Sequence, residues 1–345
     1  MATLVLAQRD KGSVMAATLR WGILGTGGIA RTFVSDLALI DEGEAVAVGS
    51  RTLESATAFA SDYDIRARYG SYGELVRDPD VDAVYVATPH PFHRDNAILA
   101  LEHGKHVLVE KPFTMNASEA REVVNVARRQ GLFALEAMWT RFLPSMVAVR
   151  DLLARGELGE IVSVEADHGQ WFAKDPSFRL FAPELGGGAL LDLGIYPVSF
   201  ASMILGTPNR IVALADRAST GVDAATSMLF GYASGAHAIL TCTLRARTAT
   251  RACITGEDAR IEVDADFYSA RGFTLIGRSG TKERFEFPRE GRGLFYQAQE
   301  VARCVQAGLL ESPALALDET ISIMETMDGV RVLMGRDVEP VRSNE

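Results

Sequence analysis

Three polar side chains in this 345-residue sequence have the types and settings that proton transfer needs. Asp192 and Tyr196 stand four residues apart in "GGGALLDLGIYPV", so a helix continuing through Tyr196 presents both on one face. Pro197 offers no N–H to the carbonyl of Leu193, so the helix must kink or restart there. The glycines that precede it are expected to leave room for a ligand against the backbone. Lys111 follows the apolar strand "HVLVE", and Pro112 restricts its backbone. A phenol with an ordinary pKa of about 10 needs a nearby cation to serve as a base, and Lys111 can supply one. A capping Asp and a core Tyr would account for the same letters, so the elements around them must decide.

Those elements alternate. "LRWGILG", "EAVAVGS", "DAVYVAT", "HVLVE" and "LFALE" read as strands, and the segments between them carry apolar residues at helical spacing. Asn116 and Glu119 form a capping box, and Gly104 and Gly131 close their helices. Alternation of this kind predicts a doubly wound parallel sheet whose binding crevice lies at the carboxyl ends of the strands. Lys111 stands at such an end.

The first strand runs into "GILGTGGIA", with Gly25, Gly27 and Ala30 in a G-x-G-x-x-A arrangement before a helix. Gly25 permits the tight turn, Gly27 lets backbone approach a pyrophosphate, and Ala30 lets the helix pack closely. Gly25, Thr26, Gly27, Gly28 and Ile29 are therefore expected to bind a dinucleotide. The second strand ends "GSRT", placing Ser50 and Arg51 where NAD-preferring sites carry an acid. A hydroxyl and a guanidinium suit a 2′-phosphate, which makes NADP the expected cofactor, with NAD the alternative. Beside a nicotinamide cation, Lys111 is expected to have a depressed pKa.

After residue 138 the texture changes. "IVSVEADH", "RIVALADR", "ATSMLFGY", "AHAILTCTL", "RACITG", "ARIEVDA", "FTLIG" and "ERFEFP" are short strands joined by turns, which predicts a large, mostly antiparallel open sheet. The expected architecture is α/β: an N-terminal extension over residues 1–18, a nucleotide-binding domain over 19–138, and an α+β domain over 139–345. A chain of this length rarely keeps a single core.

Composition narrows the function. With 35 Lys and Arg against 45 Asp and Glu the formal charge is -10, which argues against a nucleic-acid partner or an anionic membrane surface. Apolar runs read as too short for a membrane span, and the N-terminus lacks a signal-peptide pattern, so a cytoplasmic location is expected. Cys242, Cys253 and Cys304 suggest neither disulfides nor a zinc site. His90, His93, His103 and His106 have no acidic or thiol neighbours at ligand spacing, so no metal is expected.

Taken together, "GILGTGGIA", "ATPHPFH", "VEKPF", "EAMWTRF" and "GGGALLDLGIYP" resemble the Gfo/Idh/MocA oxidoreductase family from residue 19 onward, with "EKP" the most specific mark. The resemblance implies a Rossmann domain followed by a domain with an open sheet that forms oligomer interfaces, here a homodimer or homotetramer. It implies that Lys111 and the Asp192 segment meet across a cleft, that the Lys111–Pro112 peptide is cis, and that Thr88, Pro89, His93 and Glu110 lie along the cofactor. Tyr196 stands where many members carry His. The Asp-x-x-x-Tyr version resembles the branch of dimeric dihydrodiol dehydrogenases and NADP-dependent D-xylose dehydrogenases.

On this reading Lys111, Asp192 and Tyr196 are catalytic. Tyr196, its pKa lowered by Lys111, takes a hydroxyl proton as hydride leaves the same carbon for the nicotinamide, and Asp192 orients the alcohol. Trp139, Arg141, Trp171, Phe172 and Phe178 are expected to receive a sugar or cyclic diol, since aromatic faces suit such rings and an Arg can orient hydroxyls. The expected function is oxidation or reduction of a secondary alcohol or carbonyl. A non-catalytic nucleotide-binding sensor and an NAD-dependent glycoside-cleaving enzyme are the alternatives.

Overall fold

The computed structural model describes residues 18–335, so the expected N-terminal extension falls outside the described residues but for Thr18. The first half forms strands β1 (Leu19–Leu24), β2 (Gly43–Gly49), β3 (Ala67–Tyr69), β4 (Ala83–Val86), β5 (His106–Glu110) and β6 (Ala134–Ala137). They pair in parallel in the order β3-β2-β1-β4-β5-β6. Helices α1 (Gly28–Leu37), α2 (Leu53–Tyr63), α3 (Tyr72–Val76), α4 (His93–Glu102) and α5 (Ala117–Gln130) make the crossovers. Covered on both faces, the inner strands are continuous apolar runs: Ile23, Leu24, Val84 and Val107 are fully buried. Each such side chain contributes about 1.5–3 kcal/mol. Short β3 and α3 were not legible in the sequence, because runs of three and five residues are too short to carry a periodicity.

The second half adds α6 (Pro144–Ala154), β7 (Ile161–Gly169), α7 (Ile195–Leu205) and strands β8 (Arg210–Arg217), β9 (Asp223–Gly231), β10 (His237–Thr243), β11 (Ala252–Gly256), β12 (Ala259–Val263), β13 (Gly272–Gly277) and β14 (Lys282–Glu286). These eight strands form an open sheet in the order β14-β13-β12-β11-β7-β10-β9-β8, antiparallel except for β7 against β10. Alternation sets the faces: Ala238, Leu240 and Cys242 point into the core, while Ile239 on β10, Leu229 on β9, and Val212 and Leu214 on β8 are exposed on the outer face. The chain is thus α/β, a Rossmann-type parallel sheet followed by a mostly antiparallel one.

The closing helices α8 (Phe295–Gln306) and α9 (Leu317–Met334) return to the first half. Asp36 of α1 accepts the backbone N–H groups of Arg292, Gly293 and Leu294 at 2.7–3.0 Å, and the Ala117 N–H that opens α5 donates to Asp328 of α9 at 2.8 Å. These buried and half-buried bonds fix one half against the other, which the cleft between them requires.

The reading of apolar runs as short needs correction. The helical segment Pro183–Leu205 is long and apolar enough to cross a membrane by composition, yet 78% of its apolar window is buried inside the protein. Its hydrophobicity belongs to the core under the open sheet.

Candidate active site

The glycine loop after β1 contains two kinds of glycine. At Gly25 φ is +104°, and a Cβ would lie 2.7 Å from the Ala87 carbonyl oxygen, so the turn itself demands glycine. At Gly27 and Gly28 a Cβ would meet nothing within 4 Å. The protein leaves open space there, directly over the start of α1, whose cap residue Gly27 provides no side-chain hydrogen bond. Unpaired helix N–H groups facing an open cradle fit a pyrophosphate. Thr26 and Ile29 border it; Ser50 is buried at the end of β2, and Arg51 is exposed beside it.

Across the sheet, the end of β5 is held from several sides. Glu110 is buried; it accepts the Tyr85 hydroxyl in a short hydrogen bond and the Lys111 N–H at 3.2 Å. Burial, opposed only in part by Tyr85 and Lys111, pushes its carboxyl up to about 7. The Lys111–Pro112 peptide is cis. His93 bridges the two loops, with Nδ1 2.8 Å from the Pro112 carbonyl and Nε2 2.8 Å from the Thr88 carbonyl. Pro89 precedes a short 3-10 turn, His90–Phe92, that leads into α4. Glu136 on β6 accepts the Phe113 N–H at 3.1 Å, supporting the same loop from below.

The Asp192 segment is not an ordinary helix. Leu190–Gly194 is a π-helix that passes into α7 at Ile195, so Pro197 falls in the first turn of α7. A single π-turn within a helix is frequent at functional sites. The glycines before it correct the expectation of ligand room. A Cβ would lie 2.8 Å from Met115 Sδ at Gly186 and 2.7 Å from the Leu180 carbonyl oxygen at Gly187, and at Gly188 it would overlap Asp223 Oδ1. The protein's own atoms fill that space. Asp223 in turn accepts the Leu190 N–H at 2.7 Å and so tethers the start of the π-turn.

These elements bring the three predicted side chains together. The Lys111 ammonium donates to the Asp192 carbonyl oxygen at 2.8 Å and to its Oδ1 at 3.4 Å. It also lies 4.9 Å from the centroid of the Tyr196 ring, over its face. Arg179 Nη1 donates to the same Asp192 Oδ1 at 3.0 Å, and His90 Nε2 is 3.7 Å away. The Tyr196 hydroxyl accepts from the indole N–H of Trp139 at 3.0 Å.

Electrostatics within the chain follow from this packing, and the expectation of a lowered Tyr196 reverses. Burial alone would raise the Asp192 carboxyl, but Lys111 and Arg179 hold it well below the usual carboxylate range. Burial would depress the Lys111 ammonium, yet Asp192, Tyr196 and Glu110 outweigh that cost and raise it. Tyr196 is raised rather than lowered, because burial and Glu110 exceed the pull of Lys111 and Trp139. Burial lowers His90 to about 3, which leaves it neutral beside Asp192. Within the chain, the cluster is therefore an ammonium, a carboxylate and a protonated phenol.

The residues expected to meet substrate separate into two groups. Trp171 is 67% exposed, and Phe178 is exposed with its ring 5.8 Å from that of half-buried Phe172, all on the segment that leads to Arg179. Trp139 and Arg141 are buried. The Arg141 guanidinium is engaged by Ser199, at 3.2 and 2.8 Å, and by Glu319 at 2.7 Å, so it acts as a strut between elements. Sequence reasoning missed Arg179, His168 and the Asp192 contact of His90. His168 on β7 stacks on Tyr268 at 4.5 Å with its ring 5.2 Å from Tyr196, and burial lowers it to about 4.

Residues 19–137 match the profile of the "Oxidoreductase family, NAD-binding Rossmann fold", and residues 146–262 match the "GFO/IDH/MocA C-terminal domain". The chain belongs to the Gfo/Idh/MocA family. Membership together with its dehydrogenase relatives makes it a dehydrogenase or reductase that binds a nicotinamide dinucleotide and acts on CH–OH groups. Among its relatives in this family is trans-1,2-dihydrobenzene-1,2-diol dehydrogenase of Xenopus tropicalis, 36% identical over 90% of this chain and 96% of the relative. The enzyme of the same name from Bos taurus is 37% identical over 92% and 97%. Among solved structures, KijD10, a 3-ketoreductase from Actinomadura kijaniata in complex with NADP and TDP-benzene, is 29% identical with a TM-score of 0.80, covering 92% of this chain and 98% of that one. The aldose-aldose oxidoreductase from Caulobacter crescentus has a TM-score of 0.83 at 24% identity, over 92% and 98%, a likeness of fold.

Proposed function

We propose that this family member is an NADP-preferring oxidoreductase acting on a secondary alcohol, or the matching carbonyl, of a cyclic diol or sugar. The observation that carries the reading is the meeting of Lys111, Asp192 and Tyr196 at the carboxyl edge of the parallel sheet, where β5 ends. When bound, the nicotinamide supplies or accepts the hydride. The chain's own residues handle the proton: Tyr196 Oη exchanges it with the substrate oxygen, and Lys111 favours the anionic form of the phenol that results. Asp192 holds Lys111 in place through two hydrogen bonds and, with Arg179, gives a polar edge for substrate hydroxyls.

Support for NADP comes from exposed Arg51 beside Ser50, where a carboxylate would repel a 2′-phosphate. Support for the substrate class comes from the diol dehydrogenases among the relatives and from the exposed aromatic rings of Trp171 and Phe178. The exposed row of Val212, Leu229 and Ile239 supports assembly with a second copy through the open sheet. The test is steady-state oxidation of trans-1,2-dihydrobenzene-1,2-diol and of D-xylose with each cofactor. We expect turnover on at least one of them and a kcat/KM at least about tenfold higher with NADP than with NAD. Equal or reversed preference would refute the cofactor assignment, and inactivity on every cyclic diol and sugar tried would refute the substrate class.

A further inference from the structure

The Trp139 indole is 3% exposed, and its one polar atom is committed to the Tyr196 hydroxyl at 3.0 Å. An indole nitrogen can only donate. The hydrogen bond therefore has one possible polarity: Tyr196 Oη accepts, and the phenol's own hydrogen must point elsewhere. No acceptor among the described residues takes that hydrogen. The Lys111 ammonium, over the ring face, has no acceptor atom either. What is left for the phenol hydrogen is the substrate side of the cleft.

We propose that Trp139 is the positioning residue of the proton-transfer step. Its N–H aims the Tyr196 O–H at the substrate oxygen and stabilises the phenolate that forms when that proton is given. The proposal rests on the reading of Tyr196 as proton donor and acceptor. In the reductive direction the Tyr196 O–H bond breaks, a new O–H bond forms on the substrate carbonyl oxygen, and the carbonyl carbon gains the hydride that a bound reduced nicotinamide would supply. The electron pair left on Oη is met by the Trp139 N–H and the Lys111 charge. In the oxidative direction the phenol first gives its proton to solvent, and the same N–H stabilises the phenolate that then takes the alcohol proton.

The setting favours a fixed donor. Trp139 packs edge-on to Tyr268, with ring centroids 6.0 Å apart, and Tyr268 also contacts the Tyr196 ring at 5.3 Å. The titratable groups facing Tyr196 are Lys111 and Glu110 from the end of β5, Asp192 from the π-turn, His168 from β7, Tyr268 from the 3-10 turn Phe267–Ser269, and Tyr85 from β4. Of these, Glu110 and Asp192 oppose a phenolate and Lys111 favours it. Trp139 adds a donor that carries no charge and does not titrate, so its contribution holds at every pH.

The decisive experiment replaces Trp139 with β-(3-benzothienyl)alanine, which keeps the ring shape and puts sulfur where the N–H was, and compares it with Trp139→Phe and Tyr196→Phe in the full chain. We expect the benzothienyl protein to bind NADP as the parent does. Its rate of alcohol oxidation at neutral pH should fall roughly ten- to hundredfold, and the pKa below which that oxidation is lost in its kcat profile should rise by about one to two units. A turnover loss with an unmoved pH profile would mean that Trp139 only fills space, and an unchanged turnover would also overturn the proposal. If Tyr196→Phe retains turnover, the reading of Tyr196 itself fails. If that variant is inactive while the benzothienyl protein behaves as the parent, only the role of Trp139 falls.

Discussion

The Lys111 ammonium stands over the Tyr196 ring, 4.9 Å from its centroid, and spends its hydrogen bonds on Asp192 rather than on the phenol oxygen. Lys111 therefore acts on Tyr196 through its field and through contact with the ring face, a contact worth about 0.5–2 kcal/mol before any phenolate forms. Asp192 sets the position of that charge.

Replacing Lys111 by Met keeps the length of the stem and removes the charge. Asp192 would retain Arg179 as its cationic partner, so the π-turn should stay folded. We predict a fall in kcat of about a hundredfold or more, with the cofactor dissociation constant changed by less than about threefold, measured by steady-state kinetics and fluorescence titration.

The glycine loop separates folding from binding. Gly27→Ala adds a methyl group to open space and should leave the melting temperature within about 1 °C while weakening cofactor binding roughly tenfold or more. Gly25→Ala forces a methyl group against the Ala87 carbonyl at a positive φ and should lower the melting temperature by several degrees. Equal effects of the two variants on thermal stability would contradict the cradle.

Arg51→Gln removes the proposed partner of the 2′-phosphate without adding repulsion. The KM for NADP should rise about ten- to hundredfold and that for NAD should stay within about twofold. Parallel changes for both cofactors would show that Arg51 does not read the phosphate.

Glu136 gives a pH signature. Burial is the main cause that raises its carboxyl from the usual 4.5 to about 7, with the Phe113 N–H and Arg141 opposing. The folded state then holds a proton that the unfolded state has already released, so this group's contribution to stability is complete below about 4.5 and is lost as pH rises towards about 7. Glu136→Gln stays neutral throughout. Its melting temperature relative to the parent should climb between pH 5 and 8, about the span of that titration; a constant offset would place the carboxyl's pKa elsewhere.

Much of this was legible in the sequence because it rests on local rules. The alternation of elements gave the parallel sheet, the eight later strands were bounded by turn residues, and Lys111 was marked by its place at a strand end. Asp192 and Tyr196 were visible through helical spacing. What stayed hidden depends on contacts between distant segments. Arg141 looked like a cleft residue, but its partners are Ser199 and Glu319, 58 and 178 positions away. Arg179 and His168 had no motif to announce them, although both flank the site. The three glycines before Asp192 were misread because sequence cannot tell a gap awaiting a ligand from one filled by Met115, Leu180 and Asp223. The π-turn was also invisible, since a period of 3.6 residues does not describe it. The direction of the Tyr196 shift depended on burial, and that of Lys111 on the Asp192, Tyr196 and Glu110 groups packed around it, neither of which composition reveals.

The central claim is that the Tyr196 hydroxyl moves the proton while hydride passes between nicotinamide and substrate carbon. Its most direct test is a single-turnover measurement of Tyr196→Phe saturated with NADP and an active diol or sugar, beside a titration of NADP alone. The account predicts that the rate of nicotinamide reduction falls by about a hundredfold or more while the NADP dissociation constant stays within about twofold. Nicotinamide reduction at close to the parent rate would contradict it.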